Sequence, residues 1–282
     1  MPPLPVDRTI AALRARLALW RGTAARQIAL VPTMGALHAG HLSLVREARK
    51  RAPRVLVSIF VNPKQFAPNE DFRTYPRDEA ADLARLGDNG ADAVFAPTVE
   101  EMYPDGFATS VAMSGPALDL EATTRPHFFG GVATVVAKLF IASMPDFALF
   151  GEKDYQQLLV IRRMVADLAF PIEIVGYPTV REQDGLALSS RNAYLSRSDR
   201  EKAPLLYKAL QHASVAIRSG LAGHAATTIA EEELTKAGFL VDYLKVRNAE
   251  TLAHIADPRA EPMRLLAAAW LGKTRLIDNI AV

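Results

Sequence analysis

The sequence predicts an α/β fold, a Rossmann-like parallel sheet with helices on both faces, followed by a smaller C-terminal α+β domain. Three observations carry this expectation. Short β-branched apolar runs alternate with stretches of helical spacing through the first part of the chain. From Thr179 onward the order changes to helices followed by strands. Half of the 282 residues are hydrophobic and only 23% are charged, a globular balance with enough apolar material for two cores.

Each element has its own signal. Ile10, Leu13, Leu17 and Trp20 fall on one helical face, with Asp7 placed ahead of them as a possible cap. Residues 27–33 read as a buried strand, 40–51 as a helix, and 54–61 as a second β-branched strand. A helix over 80–86, a short strand over 93–95 and another over 146–150 follow. Residues 154–169 have the spacing of a long amphipathic helix, and 172–177 form the next strand. Strands alternating with helices imply parallel pairing, and such sheets hold ligands at the carboxyl ends of their strands. Beyond a boundary near Val180, helices are expected around 200–219 and 225–236, and strands over 240–246 and 264–270. The expected domains are therefore 1–179 and 180–282.

Composition removes several classes of function. A formal net charge of +2, with no block of five like charges, argues against nucleic acid as a partner. The absence of cysteine excludes disulfides, thiolate zinc sites and cysteine nucleophiles. Met1-Pro2-Pro3-Leu4-Pro5 lacks the regions of a signal peptide, and no apolar run approaches the ~20 residues of a membrane span. A soluble, cytoplasmic protein with no membrane partner is expected.

Four stretches carry candidate chemistry. Pro32-Thr33-Met34-Gly35-Ala36-Leu37-His38-Ala39-Gly40-His41 leaves a strand and opens a helix. A helix amino terminus offers N–H groups and a positive dipole end to phosphate. Two imidazoles there are suited to donate to phosphate oxygens as charge develops. The plainer alternative is a helix start whose histidines are solvated or structurally bonded. No Glu follows the first histidine in the metalloprotease pattern and no third ligand is evident, so no protein metal site is expected. Asn62-Pro63-Lys64-Gln65 is a turn after the next strand, and it places the Gln65 amide at the sheet edge that also carries His38. In Gly151-Glu152-Lys153-Asp154-Tyr155-Gln156-Gln157, Lys153 suits a phosphate, whereas Asp154 and Gln157 have the spacing of a helix cap. In Asp184-Gly185-Leu186-Ala187-Leu188-Ser189-Ser190-Arg191-Asn192, two hydroxyls and a guanidinium suit a triphosphate, though this is also an ordinary loop composition.

Other fragments carry nothing. Gly272-Lys273-Thr274 resembles the end of a phosphate loop, but Ala267 stands where its first glycine is required. Neither Gly-x-Gly-x-x-Gly nor Gly-x-Ser-x-Gly occurs. His212, His224 and His254 lie in helical or surface-like contexts.

Together the segments PTMGALHAGH (32–41), SIFVNPKQF (58–66), FGEKDYQQL (150–158), DGLALSSRN (184–192) and TRLIDN (274–279) resemble the pantoate–β-alanine ligase (pantothenate synthetase) family. They span nearly the whole chain in family order. The His-x-Gly-His segment also resembles that of the wider nucleotidyltransferase superfamily, including class I aminoacyl-tRNA synthetases. The resemblance implies two steps, with pantoate activated by ATP as pantoyl adenylate and then captured by the amine of β-alanine. It implies ATP contacts at Met34, Gly35, Ala36, Leu37, His38, Ala39, Gly40 and His41, with His41 as general acid and His38 beside it. Further ATP contacts are implied at Gly151, Glu152, Lys153, Asp154, Val180, Leu188, Ser189, Ser190 and Arg191, with Lys153 and Arg191 also counted as catalytic. Gln65 and Gln157 match the pantoate-binding glutamines, Gln65 lies near the β-alanine position, and Asn62 is grouped with them. Mg²⁺ bridging the phosphates, a homodimer, and a C-terminal domain that closes on the nucleotide are also implied. One departure stands out. Phe128, within Arg125-Pro126-His127-Phe128-Phe129-Gly130-Gly131-Val132, occupies the family's histidine position, and a substitute role for His127 is open. Two alternatives accompany the ligase: nucleotidyl transfer to another acid or phosphate acceptor, and a non-catalytic nucleotide sensor.

Overall fold

A computed structural model describes residues 3–67, 70–258 and 260–282. The chain divides into two compact units. The first comprises Met1–Glu152 and Val160–Tyr177, and the second Lys153–Leu159 and Pro178–Val282.

The first unit is built on a six-stranded sheet, all of it parallel: β1 (Val6–Asp7), β2 (Ile28–Thr33), β3 (Arg54–Ile59), β4 (Ala93–Phe95), β5 (Phe147–Gly151) and β6 (Glu173–Tyr177). The spatial order is β1-β4-β3-β2-β5-β6. Helices α1 (Ile10–Arg21), α2 (Ala39–Arg51), α3 (Glu79–Asp88), α4 (Val99–Met102), α5 (Glu121–Thr124), α6 (Phe128–Ser143) and α7 (Tyr155–Asp167) intervene along the chain. Strand periodicity sorts the apolar residues by face. Ala29, Val31, Val55, Val57, Val94, Leu149 and Val175 pack with Leu44, Val45 and Ala48 of α2 and Leu86 of α3. On the other face Phe140 of α6 meets Phe150 of β5 at 6.5 Å between ring centroids, and α1 lies against α6. The sheet is thus covered on both sides, as the near-continuous apolar strands require.

On α1, Leu13, Leu17 and Trp20 are buried as their spacing predicts, each such side chain contributing about 1.5–3 kcal/mol. The cap differs from expectation. Thr9, directly before the first helical residue, accepts from the Ala12 N–H at 3.1 Å. Asp7 ends β1, and its buried carboxylate pairs with Arg16 at 2.5 and 3.0 Å. At α7, Glu152–Asp154 form a 3₁₀ turn that runs directly into the helix at Tyr155.

The largest element absent from the sequence expectation is α6. Twelve of its 16 residues are buried. A helix surrounded by core shows no apolar stripe, and its Val-Ala-Thr-Val-Val run has strand-like composition. No helix among the described residues is long and apolar enough to cross a membrane.

In the second unit α8 (Arg197–Lys202), α9 (Leu205–Arg218) and α10 (Gly223–Lys236) precede an antiparallel sheet of β7 (Leu240–Asn248), β8 (Met263–Leu271) and β9 (Thr274–Ala281), in that spatial order. The helix expected around 200–219 is divided at Ala203-Pro204, because proline cannot donate the N–H that a continuous helix needs. Leu206, Leu210 and Ile217 of α9 and Ala230 and Leu234 of α10 form one core with Leu244, Leu265, Ala267 and Leu276 of the sheet. Strand β9 carries the 274–279 motif, with Leu276 and Ile280 packed toward the helices and Arg275 and Asn279 alternating with them. The segment 153–159 belongs to this unit. Asn279 Nδ2 donates to the Lys153 carbonyl at 2.8 Å, and the Tyr155 hydroxyl donates to the Ala249 carbonyl at 2.8 Å.

Candidate active site

Strand β2 lies between β3 and β5, and the order of strands reverses there. The loop after β2 therefore opens at a topological switch point, where open parallel sheets leave a crevice for ligands. His38 and His41 occupy that loop and the first turn of α2. Their rings stack at 4.0 Å between centroids. His38 is the N-cap, its Nδ1 accepting from the Gly40 N–H at 3.2 Å, and His41 Nδ1 accepts from the His38 N–H at 3.4 Å. Because both Nδ1 atoms are acceptors, each neutral ring carries its proton on Nε2.

The turn ahead of the histidines is fixed by Asp82 of α3. Its carboxylate, 1% exposed, accepts from the N–H groups of Ala36 and Leu37 at 2.8 and 2.9 Å. Arg85 Nη1 donates to the Leu37 carbonyl at 2.7 Å. Gly35 and Ala36 both adopt left-handed backbone, φ +81° and +50°, and a Cβ on Gly35 would stand 3.1 Å from Asp82 Oδ2. The expectation of bare N–H groups at this helix start needs correction. The amides of Ala36, Leu37, His38 and Gly40 are each accepted by a side chain. Fewer amides of this turn are thus left to an anion than a bare helix start would offer.

After β3 the chain makes a 3₁₀ turn, Pro63–Gln65, capped by Asn62. Gln65 Nε2 lies 3.0 Å from Met34 Sδ, which joins this turn to the histidine loop. Asn62 is 1% exposed. Its amide donates to Gln65 Oε1 and to the Gly131 carbonyl, each at 3.1 Å, while its Oδ1 accepts from the Tyr103 hydroxyl at 2.8 Å and the Lys64 N–H at 3.2 Å. Burial pushes the Tyr103 phenol above its ordinary range, keeping it a donor. The turn lies directly on α6 at Gly131, where a Cβ would overlap the Lys64 carbonyl oxygen. Gly151 ends β5, the neighbour of β2 across the switch point, and Glu152 opens the 3₁₀ turn that follows.

The remaining candidates belong to the second unit. Lys153 Nζ lies 4.0 Å from Asp154, and Gln157 is half-buried in the first turn of α7. The Leu188 N–H donates to the Val180 carbonyl at 2.9 Å, beside an Arg181–Ala187 bridge, so residues 180–188 form a small hairpin. Ser189 caps the 3₁₀ turn Ser190–Tyr194, accepting from the Arg191 N–H at 3.3 Å. Arg181 anchors the hairpin. It forks onto Asp278 of β9 at 2.6 and 2.8 Å and lies 3.7 Å over the Tyr207 ring. Arg200 binds Glu182 and Asp184, each at 2.6 Å, holding the Asp184 carboxyl below the usual carboxylate range.

A family model described as pantoate-beta-alanine ligase matches residues 6–281. The chain belongs to the pantoate–beta-alanine ligase family. It is an enzyme that ligates pantoate and β-alanine, as its five motifs imply, and the nucleotidyl-transfer and sensor alternatives are not favoured. Curated relatives agree. A pantothenate synthetase of Rhodopseudomonas palustris is 55% identical, covering 100% of this chain and 99% of that protein. One of Caulobacter vibrioides is 55% identical over 98% of each. Among solved structures, pantothenate synthetase from Thermus thermophilus is 49% identical with a TM-score of 0.91, covering 98% of this chain and 99% of that one. Pantoate-beta-alanine ligase from Francisella tularensis, complexed with beta-gamma ATP and beta-alanine, is 34% identical with a TM-score of 0.81, covering 99% and 97%.

Several residues that hold the candidate segments within each unit escaped the sequence expectation. Asp82 lies 41 positions beyond His41 on a helix read only for its apolar face. Gly131, Arg181 and Asp278 act by packing or pairing at long range, and only the repeated family segments around them hinted at a role.

Proposed function

We propose that the chain activates pantoate with ATP as pantoyl adenylate and transfers the pantoyl group to β-alanine. The observation that carries this is the stacked His38–His41 pair at the switch point, with both Nδ1 atoms engaged. In the first step a pantoate carboxylate oxygen attacks the α-phosphorus and pyrophosphate leaves. In the second, the β-alanine amine attacks the acyl carbonyl, the acyl–oxygen bond breaks, and AMP leaves. Two anions meet in the first step, so positioned donors and cations supply much of the acceleration.

His41, with His38 beside it, donates through Nε2–H to phosphate oxygen as negative charge builds. Met34, Gly35, Ala36, Leu37, Ala39 and Gly40 line the nucleotide on the same loop, with Gly151 and Glu152 at the end of β5. Lys153, Asp154, Val180, Leu188, Ser189, Ser190 and Arg191 are the second unit's contribution, Lys153 and Arg191 acting as cations toward phosphate. Gln65 and Gln157 hold pantoate, Gln65 also neighbours β-alanine, and buried Asn62 orients the Gln65 amide. ATP enters as its magnesium complex. No three His, Cys, Asp or Glu side chains converge as metal ligands among the described residues, and a polyphosphate-bound Mg²⁺ needs few protein ligands. Family membership supports a homodimer acting on small molecules in the cytoplasm, with domains 1–179 and 180–282 apart from residues 153–159, which belong to the second compact unit.

Replacing His41 by Ala is expected to lower turnover about 10²- to 10³-fold, the scale for losing one transition-state donor. Steady-state assay of AMP release measures it, and near-normal turnover would remove His41 from the chemistry.

A further inference from the structure

At position 128, where the chain departs from the family pattern, the first unit gives the phenylalanine a defined partner. The Arg125 guanidinium lies 3.9 Å over the Phe128 ring. Its Nε and Nη2 donate to the two Glu70 oxygens, both at 2.7 Å, and Nη2 also donates to the Gln65 backbone carbonyl at 3.1 Å. Nη1 stands 3.6 Å from Glu121. With its side chain only 15% exposed, Arg125 ties α5, α6 and the turn after β3 into one cluster. Phe128 in turn meets Phe129 edge-on at 5.0 Å and packs with Ala117 and Val160. His127, by contrast, is exposed, and as the residue before α6 it makes no side-chain cap bond.

A planar guanidinium over an aromatic face gains from the ring quadrupole, most of all when water is partly excluded. Phenylalanine supplies that face without a charge of its own. An imidazole here would place a titratable group against a cation already fixed between two carboxylates. The ring at position 128 is therefore matched to Arg125, and through Arg125 to the backbone of Gln65.

We propose that Phe128 is a positioning residue for substrate binding. Its ring holds the Arg125 fork in plane, the fork fixes the Gln65 carbonyl, and the Gln65 amide is thereby presented beside Met34 and Asn62. The family's histidine is replaced in this chain by a support for the substrate glutamine, and His127 takes no part. This rests on Gln65 being a pantoate contact.

The test is steady-state kinetics of the full chain carrying Phe128→Leu, which keeps apolar volume but removes the π face, and Phe128→Tyr, which keeps both. Phe128→Leu is expected to raise KM for pantoate about 3- to 10-fold, the range of a partly desolvated cation–π contact, with KM for ATP within about twofold. Phe128→Tyr is expected to restore the wild-type value, and His127→Ala to leave all constants unchanged. Arg125→Lys, which keeps charge but loses the fork, is expected to give the same selective rise and to combine with Phe128→Leu less than additively. If Phe128→Leu fails to fold, Arg125→Lys alone decides. Gln65→Ala separates the two assignments. No change of pantoate KM in Gln65→Ala would remove the premise. A rise there with no rise in Phe128→Leu or Arg125→Lys would overturn the role of Phe128 alone, as would equal rises in KM for ATP and pantoate.

Discussion

The loop after β2 and the hairpin of residues 180–188 are both phosphate-side candidates, yet they are held by opposite means. The loop is fixed through its backbone, with two amides on the buried Asp82 carboxylate and two more on the histidines themselves. The hairpin is fixed through long side chains, Arg181 on Asp278 and Tyr207, and Arg200 on Glu182 and Asp184. A carboxylate that grips amides sets atomic positions closely and allows little drift. An arginine fork sets orientation while its aliphatic stem gives. The difference matches the proposed roles, a loop whose groups meet developing charge and a hairpin that recognises a nucleotide.

The sharpest way to break this comparison is at Asp82. Asp82→Ala removes the carboxylate that accepts from the buried Leu37 amide and the half-buried Ala36 amide, and a buried donor left without its acceptor costs about 1–3 kcal/mol. Turnover is expected to fall about 10²-fold, because a reacting group misplaced by an ångström costs that much. Turnover assays paired with denaturant unfolding would check it, and a stable variant of normal turnover would show that the loop holds its own geometry. On the hairpin side, Asp278→Asn can accept only one arm of the Arg181 fork. KM for ATP is expected to rise roughly 10-fold, the scale of losing one charge-assisted bond, with turnover changed less. A fall in turnover with unchanged KM would reverse the assignment of the two regions. The smallest effect is expected at Gly131, where an added methyl must push the Lys64 carbonyl aside. Gly131→Ala should raise KM for pantoate a few-fold and cost about 1–3 kcal/mol of stability by overpacking. Calorimetry beside pantoate titration separates the two.

The same contrast explains what the sequence made legible. Helices α2 and α3 followed from apolar periodicity, because each buries one face, and strands β2 to β6 from short β-branched apolar runs, because the sheet is covered on both sides. Helix α6 did not, since a helix buried nearly all round has no stripe to detect. His38, His41 and Gln65 stood out because strand-turn-helix punctuation and distinctive side chains coincide there. Asp82 and Asp278 were invisible to the same method, because an aspartate among helix or strand residues looks like any solvated charge until the amides or guanidinium it serves are brought to it. The Asp7 cap failed on a detail of the same kind, with Thr9 nearer the first helical residue and Asp7 taken by Arg16.

Oxygen tracing with pantoate labelled by ¹⁸O in both carboxylate positions tests the central claim most directly. The purified chain would be incubated with Mg–ATP, β-alanine and labelled pantoate, and the products read by mass. Attack on the α-phosphorus followed by cleavage of the acyl–oxygen bond places one ¹⁸O in AMP and leaves one in the pantothenate amide carbonyl. Unlabelled AMP, or ADP with ¹⁸O in inorganic phosphate, would contradict an adenylate and with it the roles assigned to the histidine loop.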